Sequence, residues 1–193
     1  RTASLVYGVP QEDVLPEMRR TAKIVNFGIM YGAGPFRMSQ ELGLPHTEAQ
    51  YLIDSYFKQY AGIRDYIDRT LEQARTEKYV ETILGRRRPV WDCDSDIRMR
   101  REAAERMAIN MPIQGTAAEM IKLAMIKIDS EIIRRNLAAK MILQVHDELL
   151  FEALEGELDE LTTLVVYEME NALPLNVPIV VDLGVGDNWF EAH

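Results

Sequence analysis

Apolar residues recur every three or four positions over most of this 193-residue chain, which is the spacing of amphipathic helices. Proline and glycine divide the pattern into separate segments. We interpret Gly34-Pro35 as the stop after the first long helix, Gly62 as an interruption between two others, and Pro112 as a break in a later one. The predicted helices are Glu17–Tyr31, Thr47–Tyr60, Ile63–Lys78, Asp96–Met111, Thr116–Asn136 and Gly156–Ala172.

Two of these helix starts have the spacing of a capping box, in which a Thr and a Gln or Glu three residues later bond to each other's backbone. The pairs are Thr47 with Gln50 and Thr116 with Glu119. Residues 1–16 are predicted to form a short lead-in, with turn residues at Gly8, Pro10 and Pro16.

A smaller part of the chain has the pattern of β-structure. Tyr79–Leu84 alternates as a strand does and leads into a basic turn, Gly85–Pro89. Apolar runs on both sides of His146-Asp147-Glu148 predict a β-hairpin over Lys140–Ala153 with a polar tip, and a last strand is predicted over Pro178–Val185. Helices precede the hairpin and one helix joins it to the last strand, so the pattern indicates the α+β class.

The composition is that of an ordinary globular protein, with 47% hydrophobic and 27% charged residues, enough for one sizeable domain or two small ones. A single cysteine, Cys93, excludes an internal disulfide and fits a reducing compartment. The apolar runs fall far short of the roughly 20 residues that a membrane helix needs, and no signal-peptide pattern opens the chain. Because the first residue is Arg1 and not Met, we expect the sequence to be a piece of a longer protein.

The net charge of −9 is unevenly distributed along the chain. All 22 Lys and Arg residues lie at or before Lys140, together with 19 of the 31 acidic residues, so that part carries +3. Residues 141–193 hold the other 12 carboxylates without any Lys or Arg. This distribution suits a protein that binds a polyanion with one part and metal ions with the other, although charge alone favours the simpler interpretation of a solvated acidic tail.

The first long helix places two cations and two aromatic rings on one face. Arg19, Lys23, Phe27 and Tyr31 follow one another at steps of four residues, so they share a stripe about 18 Å long. A nucleoside triphosphate has the same order of parts, because its phosphates can pair with cations while its sugar and base pack against rings. The alternative is an ordinary amphipathic helix with its cations in water and its rings in the core.

The hairpin tip places two adjacent carboxylates, Asp147 and Glu148, between apolar strands. Mg²⁺ prefers carboxylate oxygens and leaves positions open for water and phosphate oxygens. A carboxylate on a rigid hairpin is therefore a candidate ligand for two-metal phosphoryl transfer, with His146 as a donor to a nearby phosphate or sugar. A solvated polar loop is the alternative.

These patterns occur together in one known family. Arg19-x-x-x-Lys23-x-x-x-Phe27-x-x-x-Tyr31-Gly32 resembles motif B of family A DNA polymerases, the family of bacterial DNA polymerase I. Gln144-Val145-His146-Asp147-Glu148 resembles motif C of the same family. The likeness covers nearly the whole chain, because three intervening segments are also similar to those of the family: Leu84–Arg88, Arg101–Met107 and Asn110–Gly115.

The resemblance implies an α+β architecture of helical fingers followed by a palm with an antiparallel hairpin and packing helices. It divides the chain into a palm-to-fingers lead-in at residues 1–16, fingers at 17–105 and palm at 106–193. The pattern along the chain likewise indicates a change from helical to sheet-bearing structure near Asp92–Met107.

The resemblance also implies roles for individual residues in nucleotide binding. Arg19 and Lys23 would bind the incoming triphosphate, and Lys23 would also act in catalysis by stabilising or protonating the leaving pyrophosphate. Phe27 would lie beside the sugar, and Tyr31 at the insertion site near the templating base. Asp147 would be a catalytic, metal-binding carboxylate and Glu148 a weaker auxiliary one, with two Mg²⁺ ions in the intact enzyme.

Four residues would face the primer–template: Arg106, Asn110, Gln114 and His146. Hydrogen-bond donors suit the minor groove, where every base pair presents acceptors at purine N3 and pyrimidine O2. Without the resemblance, the first three residues would be interpreted as a solvated polar face of a helix. Arg86–Arg88 stay unassigned between DNA phosphates and carboxylates of the fold.

The implied activity is template-directed DNA synthesis, in which a DNA-directed DNA polymerase adds deoxynucleotides to a primer 3′ end and releases pyrophosphate. The implied partners are primer–template DNA, deoxynucleoside triphosphates and the remainder of the parent chain, with no membrane, in the bacterial cytoplasm near the nucleoid. A single-subunit RNA polymerase shares the helix and the His-Asp pair, but Glu148 and Phe27 favour DNA synthesis. A non-catalytic DNA-binding fragment is the other alternative.

One family feature is not found in these 193 residues. The Asp-rich strand of motif A, which supplies the second metal-binding Asp in the family, lies upstream of the matched segments. We therefore predict that a protein consisting of these residues alone does not extend a primer, because Asp147 cannot position two metal ions by itself. A primer-extension assay on the isolated chain, with an intact family member as positive control, tests this; robust extension contradicts it.

Overall fold

The computed structural model describes residues 1–192. These residues form two compact units, one from Arg1 to Ile113 and the other from Gln114 onward. Helices dominate both units, and two small antiparallel two-stranded sheets accompany them, which confirms the predicted α+β class. None of the helices in residues 1–192 has the length and hydropathy of a membrane-spanning segment.

The predicted lead-in contains a short helix, α1 (Thr2–Tyr7), which ends at Gly8 with a left-handed φ of 63°. Six residues are too few to show helical periodicity in a sequence. Tertiary contacts hold the helix instead, since the Thr2 hydroxyl donates to Asn26 Oδ1 at 3.0 Å and lies 3.2 Å from the Tyr60 hydroxyl.

The next helix confirms the strongest prediction from the sequence. It is α2 (Pro16–Met30), with Pro16 as its first residue and not as a turn before it. A proline is tolerated there because the first helical residues have no intrahelical partner for their N–H groups. The helix ends at Tyr31, and Gly32 follows with a φ of 76°.

A helix that the sequence did not predict follows immediately, α3 (Pro35–Leu42). Gly34-Pro35 was interpreted as a stop, but Gly34 is the N-cap and Pro35 the first residue of the new helix. Glycine and proline are common both after the end of one helix and at the start of the next. Here α2 has already ended with Tyr31 as its C-cap, and Gly34-Pro35 begins α3.

Two further helices, α4 (His46–Gln59) and α5 (Ala61–Glu77), match the predicted ones closely. The predicted capping box is wrong, because the N-cap is Pro45 and Thr47 lies inside α4. Gly62 lies inside the first turn of α5, and the break between the helices falls at Tyr60.

The core of this region explains the packing of α2, α3 and α4. Gly28 of α2 allows the approach, since a Cβ on it would lie 2.8 Å from the Cε atom of Met38 on α3. The buried residues of this cluster are Val25, Ile29, Met38, Ala49, Leu52, Ile53 and Tyr56.

The first sheet pairs β1 (Tyr79–Glu81) with β2 (Arg87–Pro89) in antiparallel register, Val80 opposite Arg88. The predicted strand is therefore shorter than expected, and the basic segment is a strand and not only a turn. A side-chain contact between the two strands supports this pairing, because the Arg87 guanidinium lies 4.4 Å from the centre of the Tyr79 ring. The buried cluster beneath the sheet comprises Ala74, Val80, Val90, Cys93, Ala104, Ala108 and Met111.

The two predicted helices around residue 112 are one continuous helix, α6 (Arg98–Arg135), with Pro112 in its interior. An interior proline costs about 3 kcal/mol because it removes a backbone hydrogen bond and crowds the preceding turn. Apolar side chains are buried on both sides of it, including Ala108 and Ile128 at 0% exposure, and this burial offsets the cost. Thr116 is buried inside the helix, so the second capping box is wrong as well.

The unit from Gln114 onward contains the predicted hairpin. β3 (Lys140–Val145) pairs with β4 (Glu148–Glu152) in antiparallel register, Val145 opposite Glu148. Helix α7 (Leu158–Glu170) follows as predicted after a short 3₁₀ turn. The buried core of this unit comprises Ala124, Ile128, Ile132, Ala139, Leu161, Leu164, Val165 and Ala172.

The predicted last strand over Pro178–Val185 is wrong. Within residues 1–192 this segment joins neither of the two-stranded sheets, and a short helix, α8 (Trp189–Ala192), follows it. Its apolar residues gave the strand pattern, but Val180 is 76% exposed and so packs into no core. The carboxylate of Glu170 accepts a bond from the Val181 N–H at 3.2 Å.

The hydrophobic core of the second unit provides a matched test of the fold. Ile128 is fully buried, whereas Ile126 on the same helix is 65% exposed. We expect Ile128→Ala to lower the free energy of unfolding by about 2–5 kcal/mol, because it leaves a cavity, and Ile126→Ala to change it by less than about 0.5 kcal/mol. Urea unfolding of both variants measures the difference, and equal losses would mean that Ile128 does not lie in this core.

Candidate nucleotide and DNA-binding surfaces

Helix α2 buries one face and displays the other. Ala22, Val25 and Ile29 are buried, while Lys23 lies on the exposed side and Phe27 is 54% exposed. The helix therefore does not follow the alternative in which its rings fill the core, because Val25 and Ile29 occupy that place. An aromatic ring held in solvent beside a cation is available to a ligand.

The two aromatic residues of the stripe form one flat surface. The rings of Phe27 and Tyr31 are stacked, with centroids 6.0 Å apart and planes inclined by 21°. Tyr31 is half-buried, and its backbone N–H donates to the Phe27 carbonyl at 2.9 Å, so the last turn of the helix fixes the second ring relative to the first.

A groove of about 380 Å³ lies along α2 and is closed on one side by α3. Three of the predicted stripe residues line it, but Arg19 does not and is instead exposed nearby. The lining residues are Arg20, Lys23, Ile24, Phe27, Gly28, Tyr31, Arg37 and Glu41.

Three charged residues of this groove were not predicted from the sequence: Arg20, Arg37 and Glu41. Arg20 precedes Lys23 by three residues, so helical spacing alone could have placed it on the same side. Arg37 and Glu41 belong to α3, and their guanidinium and carboxylate groups pair at 2.8 Å. Their four-residue spacing was a signal of a helix that the interpretation of Gly34-Pro35 as a stop concealed.

The predicted DNA-facing residues Arg106, Asn110 and Gln114 follow each other at steps of four along the continuous helix α6. The structure brings Arg106 against the end of α2, because a Cβ on Gly32 would lie 3.2 Å from its Cγ atom. Asn110 is half-buried, and its Oδ1 atom is buried without a hydrogen-bond partner among residues 1–192. Gln114 is exposed.

The hairpin tip holds its polar residues out from the strands. His146 has a left-handed φ of 54°, and its carbonyl accepts a bond from the Gln144 side-chain amide at 3.0 Å. All three tip residues are exposed to solvent, and so a ligand can approach them: His146, Asp147 and Glu148. The tight turn between Val145 and Glu148 is what displays Asp147.

The carboxylates of Asp147 and Glu148 supply the oxygen donors that Mg²⁺ prefers. Among residues 1–192 there is no group of three or more His, Cys, Asp or Glu side chains arranged to hold a metal ion. The donor chemistry of the tip, two exposed carboxylates, is nevertheless compatible with the predicted ion.

With this geometry in place, comparison with known proteins decides the family. Residues 1–191 match the family model described as DNA polymerase family A. The chain belongs to this family. Members of family A are generally dependent on divalent metal ions, in agreement with the oxygen donors at the tip.

Curated members of the family are similar to this chain over its whole length. A thermostable DNA polymerase I of Thermus thermophilus is 50% identical over 192 residues, which is 100% of this chain and 23% of that protein. DNA polymerase I of Deinococcus radiodurans is 48% identical over 99% of this chain and 20% of its own length. DNA polymerase I of Mycobacterium leprae is 44% identical over 98% of this chain and 21% of its own length. The chain thus spans between a fifth and a quarter of the length of these relatives.

A solved structure of the family agrees in fold. The polymerase domain of Pol1 from M. smegmatis, in complex with DNA primer–template and dNTP, matches 99% of this chain with a TM-score of 0.95 and 46% sequence identity. The match covers 34% of that chain.

Proposed function

We propose that this chain forms part of a DNA polymerase that copies a template by adding deoxynucleotides to a primer 3′ end, with release of pyrophosphate. The observation that carries the proposal is the exposed face of α2, where Lys23 precedes the stacked rings of Phe27 and Tyr31 beside a groove. Membership in DNA polymerase family A and the M. smegmatis structure, which was solved with primer–template and dNTP, support it.

The proposed nucleotide site uses the order of groups along α2. Arg19 and Lys23 bind the triphosphate, since ammonium and guanidinium groups pair strongly with phosphate oxygens. Phe27 packs beside the sugar and Tyr31 beside the templating position. Lys23 also neutralises the charge that develops on the departing pyrophosphate. Arg20 and Arg37 add positive charge to the same groove.

The proposed metal site lies at the hairpin tip. Asp147 is a ligand and Glu148 an auxiliary one, with two Mg²⁺ ions in the intact enzyme completed by ligands outside the described residues. Bound there, Mg²⁺ would lower the pKa of the primer hydroxyl and neutralise phosphate charge. His146, exposed beside them, donates to a phosphate or sugar at the primer end.

The proposed primer–template contacts from α6 are Arg106 and Asn110 in the first unit and Gln114 in the second. Their side chains can donate hydrogen bonds to the acceptors that all base pairs share in the minor groove, which tests pair geometry without reading sequence. A copying enzyme needs this property at every position of its template.

We assign residues 1–16 to the lead-in, 17–105 to the fingers and 106–193 to the palm, of which His193 lies outside the described residues. The two units of the structure divide after Ile113, within the same helix. Copying DNA places the parent protein in the cytoplasm, at the bacterial nucleoid.

Lys23 provides the direct test in the full-length parent protein. We expect Lys23→Ala to lower kcat/KM for the incoming nucleotide by about 10- to 100-fold, because a charge-assisted bond contributes about 1.5–3 kcal/mol. Lys58→Ala removes an exposed cation at the end of α4, outside the groove, and is the control. Steady-state primer extension compares the two, and equal effects would remove Lys23 from the nucleotide site.

A second test concerns the sugar. In the full-length protein we expect Phe27→Tyr to raise incorporation of dideoxynucleotides relative to deoxynucleotides, because the added hydroxyl lies where the proposal places the nucleotide sugar. The measurement is the ratio of kcat/KM for the two sugars. An unchanged ratio in an active, folded variant would show that Phe27 does not lie beside the sugar.

A further inference from the structure

A tyrosine of α5 holds the turn of α6 that carries two of the proposed DNA-facing residues. The Tyr66 hydroxyl donates to the backbone carbonyl of Ile109 at 2.8 Å. Ile109 lies between Arg106 and Asn110 in the helix, three residues before Pro112. The bond therefore ties the backbone between these two side chains to a neighbouring helix.

The bond lies next to the carbonyl that the proline leaves without its regular donor. Pro112 has no N–H, so the regular bond to the carbonyl four residues earlier, at Ala108, is lost and the helix is locally weakened. Tyr66 supplies an external donor to the adjacent carbonyl. Proline-interrupted helices commonly need such a partner to keep one geometry, since the freed turn can otherwise bend.

Tyr66 is well placed to act as a constant donor. Burial raises the pKa of its hydroxyl above the ordinary value, with a smaller opposing effect of a bond from Thr70, so the hydroxyl stays protonated at neutral pH. Thr70 donates to the Tyr66 carbonyl at 2.7 Å and is itself buried, which fixes this turn of α5.

The same turn of α6 contacts the end of α2, the helix with the proposed nucleotide-binding residues. A Cβ on Gly32 would lie 3.2 Å from Arg106 Cγ and 3.7 Å from Ile109 Cδ1, so the backbone after Tyr31 rests on these two residues. A shift of the α6 backbone at Ile109 would therefore move both Arg106 and the residues that follow α2.

We propose that Tyr66 is a positioning residue that holds Arg106 and Asn110 in the geometry that distinguishes a correctly paired primer end from a mismatched one. The inference rests on the proposed function, because it takes these two residues as contacts to the primer–template. Tyr66 itself touches neither substrate in this account, and acts through the Ile109 carbonyl.

The test removes one atom. In the full-length protein we expect Tyr66→Phe to reduce the preference for extending a matched over a mismatched primer end by about 2- to 10-fold, the range that loss of one hydrogen bond produces. We expect KM for the nucleotide on a matched primer to change less than this ratio. Added to Arg106→Ala, the Phe substitution should have little further effect, since both act on one contact.

The matched control removes a different contact between the same two helices. Arg75 of α5 pairs with Glu105 of α6 at 2.7 Å on the surface, so Arg75→Gln also removes an α5–α6 contact but leaves the Ile109 carbonyl bonded. We expect Arg75→Gln to leave the preference unchanged. Melting temperatures of all variants show whether a loss of preference merely follows a loss of stability.

The outcomes separate the two proposals. If Arg106→Ala and Asn110→Ala lower the preference and Tyr66→Phe does not, the positioning role is wrong while the proposed DNA surface stands. If neither Arg106→Ala nor Asn110→Ala affects it, the DNA surface itself is wrong and the inference falls with it. Equal effects of Tyr66→Phe and Arg75→Gln would reduce Tyr66 to a general contact between helices.

Discussion

The proposed nucleotide-binding surface of the first unit depends on how the inner face of α2 is packed. Val25 and Ile29 are almost completely buried, at 0% and 2% exposure, and burial of such side chains contributes about 1.5–3 kcal/mol each. Once these residues are buried, the helix has no rotational freedom left. Lys23 and Phe27 must then lie in solvent, because the helical repeat places them on the other side. The proposed nucleotide-binding face is thus produced by the packing of residues that lie on the opposite side of the helix.

Close approach is the second consequence of that packing. Gly28 lets Met38 of α3 come near α2, and α3 in turn brings Arg37 and Glu41 to the edge of the groove. The groove is therefore made by two helices and its charge by both. Glu41 pairs with Arg37 and so lowers the net positive charge of the groove.

Helix α6 connects the proposed nucleotide and DNA surfaces of the first unit. Its turn at Arg106 and Ile109 receives the end of α2 and the Tyr66 hydroxyl, and the same turn precedes Pro112. The Tyr66 bond from α5 supports the helix beside this proline. Ala104 and Ala108 of α6 share a buried cluster with Ala74 of α5, so the two helices meet where the tyrosine bonds.

The sequence by itself determined α2, the hairpin with Asp147 at its tip and the family, because a long amphipathic repeat, alternating apolar runs and two spaced motifs are local signals. It did not predict α1 or α3, the continuity of α6 through Pro112, or the lack of a strand near Val180. Each of these features depends on what packs against the segment. The Thr2 hydroxyl contacts Asn26 of α2 and Tyr60, and buried side chains lie before and after Pro112 in α6. Val180 pairs with no neighbouring strand in the described chain. Only the tertiary structure decided which side chains line the groove, exchanging Arg19 for Arg20 and adding Arg37, because distances between helices are set by packing and are not written in the spacing of residues along any one of them.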